Sequence, residues 1–87
     1  MRIIFIGAIW CSSCLVMKSR LKVLLKEHPE INVINYDFDD ESEKIKPYKI
    51  GSILPVIIFE NNNSEVFRIV GEKTKRDFMA IFKDMNI

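Results

Sequence analysis

The sequence has few of the residues that mark secreted, membrane-spanning or nucleic-acid-binding proteins. It contains only two cysteines, three glycines, three prolines and one histidine in 87 residues. Two cysteines cannot build the multi-disulfide framework of a small secreted domain. The longest apolar run, residues 3–10, is far shorter than the roughly 20 residues of a membrane-spanning helix. A net charge of +1 favours neither nucleic acid nor an anionic membrane as a partner.

The composition that remains is that of an ordinary globular domain. Hydrophobic residues make up 48% of the chain and charged residues 29%. This length can bury one core but not two, so we expect a single domain over residues 1–87 with one functional site. No small-residue cleavage site follows the apolar start of the chain, and we therefore expect a cytoplasmic protein.

Hydrophobic periodicity predicts a β-α-β unit in the first half of the chain. Residues 2–7 and 31–36 are rich in β-branched and aromatic residues, which is typical of strands. Residues 12–27 show the period of an amphipathic helix. A helical crossover between consecutive strands makes them parallel, so we expect these two strands to pair side by side.

The second half of the chain predicts a short helix, a hairpin and a final helix. Asp40 and Glu43 have the spacing of a capping box and indicate the short helix. The segment NNNS, residues 61–64, suits a tight turn between two antiparallel strands. Residues 74–85 are helical by period, with Thr74 as the cap. The whole order, β-α-β-α-β-β-α, predicts an α/β fold with a four-stranded mixed sheet and helices on both faces.

Cys11 and Cys14 lie one helical turn apart, after the first predicted strand and at the start of the first predicted helix. Unpaired N–H groups and the positive end of the helix dipole favour a thiolate at this position. The position therefore predicts a redox pair. Cys11, which we expect to be the more exposed, would attack a substrate disulfide, and Cys14 would resolve the mixed disulfide.

The sequence leaves three other interpretations of the cysteine pair open. The two residues could simply fill space near a helix start, because free cysteine is often buried and inert. A zinc site needs four ligands, and His28, at the far end of the same helix, is the only other soft candidate, so we expect no metal. A copper(I) module also uses this spacing, but its ferredoxin-like order ends on a strand, whereas residues 74–85 predict a helix.

A second candidate feature is the segment GSILPV, residues 51–56. A proline that opens a strand is common in its own right. The alternative is a cis peptide bond between Leu54 and Pro55, which would leave the backbone of Leu54 free to pair with an extended peptide.

Taken together, these residues resemble the thioredoxin-fold thiol-disulfide oxidoreductases. The resemblance rests on WCSSC after the first strand, ILPVIIF at the head of the third, and Val70-Gly71 before the final helix. It covers nearly the whole chain. The extra N-terminal strand and helix of full-length thioredoxins have no counterpart, which suggests a minimal, glutaredoxin-sized version of the fold.

The resemblance implies roles for particular residues. Cys11 would be the nucleophile and Cys14 the resolving thiol, and their reversible disulfide would be the only redox group, with no other cofactor. An apolar substrate groove would be lined by Trp10, Leu54, a cis-Pro55 and Gly71.

The implied partners are disulfide-containing proteins as substrates and a thioredoxin reductase or a low-molecular-weight thiol as the electron donor. We expect the protein to act as a monomer. A glutaredoxin-like, glutathione-dependent reductase is the near alternative. It is disfavoured because no Gly-Gly pair or acidic anchor follows VIIF, and because Trp10 favours a thioredoxin-type surface.

The sequence departs from the family pattern beside the resolving cysteine. Thioredoxins usually carry a buried aspartate six residues before the attacking cysteine, and this chain has Phe5 there. The lysine that often accompanies the aspartate aligns near Asn35, and the two residues between the cysteines, Ser12 and Ser13, are also unusual. With no buried side-chain base for Cys14, we expect slow resolution of the mixed disulfide.

Overall fold

The computed structural model describes residues 1–87 and has the α/β architecture predicted from the sequence. Its elements are β1 (Arg2–Gly7), α1 (Ser12–Leu25), β2 (Asn32–Asp37), α2 (Ser42–Ile45), a 3₁₀ turn (Lys46–Tyr48), β3 (Val56–Asn61), β4 (Ser64–Val70) and α3 (Lys75–Asp84). The predicted order β-α-β-α-β-β-α is confirmed, with the 3₁₀ turn as an addition that contains Pro47.

The strands form one mixed sheet in the order β2-β1-β3-β4. Strand β1 runs parallel to β2 and antiparallel to β3, and β3 and β4 form an antiparallel hairpin. In this register Gly7 lies beside Asp37, and Ile6 lies beside Val56. The end of β1, the end of β2 and the start of β3 therefore meet at one edge of the sheet, where the cysteine loop also begins.

Helices cover both faces of the sheet, as predicted. Ile3, Val33 and Phe59 are register partners and so share one face. The ring of Phe59 packs against Phe82 of α3 on this face, at 5.7 Å between centroids. Met17 of α1 is fully buried there and accepts a hydrogen bond from the backbone N–H of Lys73.

The opposite face of the sheet is covered by α2 and the 3₁₀ turn. Tyr36 of β2 contacts Tyr48 of the turn, with 6.3 Å between the ring centroids. Ile45 of α2 is buried in the apolar core. The helices on both faces pack against the two central strands, β1 and β3. The side chains of these strands are almost entirely buried.

The ends of the helices differ in part from the sequence prediction. Helix α1 ends at Leu25, two residues before the predicted Glu27. Glu41, not Asp40, precedes α2, and no side chain caps that helix, so the predicted capping box is wrong. At α3 the prediction is confirmed, because the Thr74 hydroxyl accepts a hydrogen bond from the backbone N–H of Asp77 at 3.1 Å.

The hairpin turn explains the run of asparagines. Asn62 and Asn63 both have positive φ, 53° and 64°. A two-residue turn with positive φ at both positions matches the right-handed twist of the flanking strands, and asparagine tolerates this conformation better than most residues. The turn thus sets the pairing of Asn61 with Ser64, and a register shift between Phe59 and Glu60 changes the pairing in the rest of the hairpin.

Candidate active site

The first cysteine caps the first helix. Cys11 has an extended backbone, with φ of −99° and ψ of 106°, and is the N-cap residue of α1. Its Sγ accepts a hydrogen bond from the backbone N–H of Cys14 at 3.1 Å. This N–H is one of the donors that a helix start leaves unpaired, so it stabilises negative charge on the Cys11 sulfur.

Both cysteine side chains lie mostly below the surface. Cys11 keeps 9% of its surface exposed and Cys14 keeps 4%, and both are free. The predicted order of exposure therefore holds, but the margin is small because both side chains belong to the apolar core cluster. Access to the pair is through Cys11 and is narrow.

The two cysteines also differ electrostatically. Burial first, and the hydrogen bond with Cys11 second, raise the pKa of Cys14 to about 11, against a lowering by a backbone hydrogen bond with Ala8. A thiol with such a pKa stays protonated at neutral pH. Cys14 therefore has to lose a proton before it can act as a nucleophile.

Gly7 allows the second cysteine to lie against the sheet. A Cβ placed on Gly7 would lie 3.0 Å from Cε1 of Phe5, and 3.2 and 3.3 Å from the Cβ and Sγ of Cys14. These distances are shorter than ordinary van der Waals contacts. Only glycine at this position lets α1 bring Cys14 this close to the end of β1.

We expect Gly7→Ala to lower the free energy of unfolding by about 1–3 kcal/mol, because the added methyl overpacks this contact. Urea denaturation measures the loss. The matched control is Gly51→Ala, since a Cβ at Gly51 would have no atom within 4 Å. Equal losses in the two variants would contradict the packing argument.

Trp10 is held beside the cysteines by two contacts. Its indole N–H donates a hydrogen bond to Oδ2 of Asp39 at 2.5 Å. Its ring meets Phe38 edge to face, with 6.5 Å between centroids. The side chain nevertheless remains 62% exposed, so the ring is fixed in orientation and open to a partner. The sequence carried no signal for Asp39, because this contact joins residues 29 positions apart.

The segment before β3 reaches the same edge of the sheet. The Leu54-Pro55 peptide bond is cis, and Pro55 is fully buried. The carbonyl oxygen of Pro55 accepts a hydrogen bond at 2.8 Å from the N–H of Gly71, which has a positive φ of 84°. The backbone N–H and C=O of Leu54 form no hydrogen bond within the chain. They can therefore pair with an extended peptide.

The exposed apolar rim of the site differs from the residues that the sequence singled out. Leu54 is buried, with 8% of its surface exposed, so it offers its backbone and not its side chain. Ile53 and Ile9 are 61% and 88% exposed. The sequence prediction missed both, although for Ile53 an isoleucine in a loop of glycine, serine and proline is a readable signal of a contact surface.

A cavity of about 250 Å³ lies next to Cys14, which forms part of its lining. Phe5 and Asn35 line it from β1 and β2. These are the positions at which the sequence lacks the family's aspartate and lysine, so these two positions supply no charged side chain here. The charged lining comes instead from Lys18, Asp37 and Glu41.

No group of three or more histidine, cysteine, aspartate or glutamate residues is arranged to hold a metal ion. No helix is both long and apolar enough to cross a bilayer. The element order also differs from the β-α-β-β-α-β order that a copper(I) module of the ferredoxin-like kind requires.

The sheet order, the helix-capping cysteine and the proline segment opposite it define a thioredoxin-fold protein with a Cys-x-x-Cys pair. Comparison with known proteins agrees: the thioredoxin family model matches residues 2–84. The chain belongs to the thioredoxin family, which confirms the resemblance drawn from the sequence.

Two relatives and one solved structure illustrate the similarity. Thioredoxin of Chlamydia pneumoniae is 34% identical over 66 residues, which cover 76% of this chain and 64% of the relative. Thioredoxin H5 of Oryza sativa subsp. japonica is 29% identical over 80 residues, which cover 92% of this chain and 58% of the relative. The chain thus spans less than two thirds of the length of these relatives.

The structural likeness extends over almost the whole chain. The germline-specific thioredoxin Deadhead of Drosophila melanogaster superimposes with a TM-score of 0.82 at 23% identity, covering 95% of this chain and 78% of that one. At this level of identity the match demonstrates a shared fold.

Proposed function

We propose that this protein is a dithiol-disulfide oxidoreductase that reduces disulfide bonds in other proteins. The observation that carries the proposal is the hydrogen bond from the backbone N–H of Cys14 to Sγ of Cys11, at the N-cap of α1. This contact stabilises the thiolate that the reaction needs and keeps the second cysteine next to it.

In the first step Cys11 attacks the substrate. Its thiolate displaces one sulfur of the substrate disulfide, so that a Cys11–substrate bond forms and the substrate S–S bond breaks. The displaced sulfur leaves as a thiolate and takes up a proton. The exposed ring of Trp10, the free backbone of Leu54 and the turn at Gly71 would hold the substrate chain alongside, with Pro55 beneath it.

In the second step Cys14 releases the substrate. Cys14 loses its proton, attacks Sγ of Cys11, and forms the Cys11–Cys14 disulfide while the second substrate sulfur leaves as a thiolate. The cysteine pair has then given two electrons to the substrate. Because burial raises the pKa of Cys14 to about 11, this proton loss is the demanding part of the step at neutral pH.

The oxidised pair would be returned to the dithiol by a thioredoxin reductase or by a low-molecular-weight thiol. We place this cycle in the cytosol and assign it to the monomer. The two cysteines are the only ones in the chain, so no other part of the fold needs an oxidising compartment.

A redox titration tests the proposal. The protein is equilibrated with glutathione buffers and trapped with iodoacetamide, and the whole protein is compared with Cys14→Ser. We expect an intramolecular disulfide in the former and a stable mixed disulfide on Cys11 in the latter. A pair that never closes, or a protein that reduces no insulin disulfides with a dithiol donor, would contradict the proposal. Turnover with glutathione as the sole donor would favour the glutaredoxin-like alternative.

The absence of a base beside Cys14 gives a further expected result. Because Phe5 lines the cavity next to Cys14, Phe5→Asp places a carboxylate where it can accept the thiol proton. We expect the lifetime of the Cys11 mixed disulfide to shorten by about tenfold or more. Quenched alkylation followed by mass spectrometry measures that lifetime.

The control for this change is Phe5→Asn. Asparagine has the same shape as aspartate, but its amide cannot take up the thiol proton. Both variants lose packing, because Phe5 is buried. Only the aspartate should shorten the lifetime. If the asparagine variant does so equally, or if the aspartate leaves the lifetime unchanged, the missing base does not limit resolution.

A further inference from the structure

We propose that Lys18 is a positioning residue for the resolving step: its ammonium group acts through the cavity beside Cys14 and lowers the cost of forming the Cys14 thiolate. The inference rests on the proposed oxidoreductase function and deepens it. It assigns a role in the reaction to the Lys18 ammonium group, which lies on α1 outside the Cys-x-x-Cys motif.

The geometry brings Lys18 and Cys14 to one place. They are four residues apart in α1, so their side chains lie on the same face, with about 5–6 Å between the Cβ atoms of such a pair. Both line the cavity of about 250 Å³ that also contains Phe5 and Asn35. This volume holds several water molecules at about 30 Å³ each. Leu15, a highly exposed residue, forms part of the rim, so the cavity opens to solvent.

The two carboxylates of the cavity are already engaged elsewhere. Oδ1 of Asp37 accepts hydrogen bonds from the backbone N–H groups of Asp39 and Asp40, at 2.9 and 2.8 Å. Glu41 accepts from the backbone N–H of Asp37 at 3.0 Å and from Nζ of Lys44 at 3.2 Å.

These contacts decide which charged group can help Cys14. The hydrogen bond from Asp37 first, and that from Lys44 second, lower the pKa of Glu41, which makes it a poor proton acceptor. Lys18 forms no ion pair. The remaining titratable group that faces Cys14 is the Cys11 thiol, which carries no positive charge, whereas the Tyr36 ring lies on the opposite face of the sheet against Tyr48. Lys18 is therefore the one cation of the cavity.

The role is electrostatic and leaves the proton balance unchanged. The S–H proton of Cys14 passes to water that enters the cavity, and the thiolate is held near the Lys18 ammonium. The thiolate then attacks Sγ of Cys11 in the mixed disulfide, the Cys11–Cys14 bond forms, and the substrate leaves as a thiolate that takes up a proton. Lys18 keeps its own protons throughout.

The same helix supplies the matched control. Lys22 continues the row of lysines one turn further along α1 and lines the adjoining groove, which shares Lys18 and Asn35 with the cavity but does not contain Cys14. A general effect of surface charge would be equal for the two lysines. An effect carried by the cavity would belong to Lys18 alone.

The test measures the alkylation of Cys14 by iodoacetamide in a Cys11→Ser background, where Cys14 is the only thiol. At about pH 8, below the usual lysine pKa of about 10.4, the rate is proportional to the thiolate fraction. We expect Lys18→Met to slow alkylation by about 3- to 10-fold, because it removes the one positive charge that lines the cavity. Lys18→Arg should restore the rate, and Lys22→Met should leave it unchanged.

A pH profile separates the charge from a structural effect. As the pH rises through the pKa of Cys14, the thiol ionises fully in both proteins, so the two curves, with and without Lys18→Met, should converge, whereas a change in access to the thiol would keep them apart. Curves that stay apart, or equal slowing by Lys22→Met, would overturn the inference. This assay needs no substrate, so its result is independent of the test of the proposed function. Failure to reduce insulin would contradict the proposed function but would not change the alkylation rates.

Discussion

Replacing Cys11 by serine is expected to abolish the reduction of protein disulfides, with a loss of about a thousandfold or more in rate over the donor alone. The thiolate is the nucleophile in disulfide exchange, and a serine hydroxyl does not ionise at neutral pH. Insulin reduction with a dithiol donor measures the change.

Cys11→Ser is also a clean test, because it should keep the fold. Cys11 is the N-cap residue of α1, and its sulfur accepts a hydrogen bond from the backbone N–H of Cys14. Serine is among the best N-cap residues and can accept the same hydrogen bond. We therefore expect the free energy of unfolding to stay within about 1 kcal/mol of the parent. Retained activity would show that Cys11 is not the nucleophile.

Phe59→Ala is expected to have the largest effect on stability. Phe59 is completely buried in β3, and its ring contacts Phe82 of α3 and Phe67 of β4, with centroids 5.7 and 6.3 Å apart. Removing a buried phenylalanine costs about 3–5 kcal/mol through lost transfer energy and a cavity. Small domains have about 5–15 kcal/mol in total, so the variant should be close to unfolding. Urea denaturation measures this loss.

Phe67→Ala is the comparison for that result. Phe67 pairs with Phe59 across the β3–β4 hairpin, but 42% of its surface is exposed. Less apolar surface returns to water when it is truncated, so its loss should be well below that of Phe59. Similar losses at the two positions would mean that the core does not centre on the packing between β3 and α3.

The strands, the two long helices and the hairpin could be predicted because each has a local signal. Each signal acts within a few residues: the β-branched and aromatic run of β1, the apolar stripe of α1, the cap at Thr74 and the asparagines of the turn. The cysteine pair could be placed for the same reason, since a strand followed by a helix determines where the loop between them lies.

The parts that could not be predicted depend on contacts between distant segments. The hydrogen bond from Trp10 to Asp39 and the cavity beside Cys14 exist only once β1 and β2 are in register. The missing cap of α2 has a related cause: Glu41 occupies the N-cap position, and its carboxylate accepts hydrogen bonds from the backbone N–H of Asp37 and from Lys44 instead of from the helix start. Sequence spacing alone cannot show which of several acidic neighbours wins such a contact.

The single tryptophan gives the protein a built-in optical reporter. Trp10 precedes the reactive cysteine directly, and its ring is oriented by Asp39 and Phe38. Since no second indole contributes background, all of the tryptophan fluorescence comes from within the catalytic loop. Oxidation, docking of a client chain and re-reduction can therefore be followed in real time, without attaching a dye to a surface that must remain free for the client.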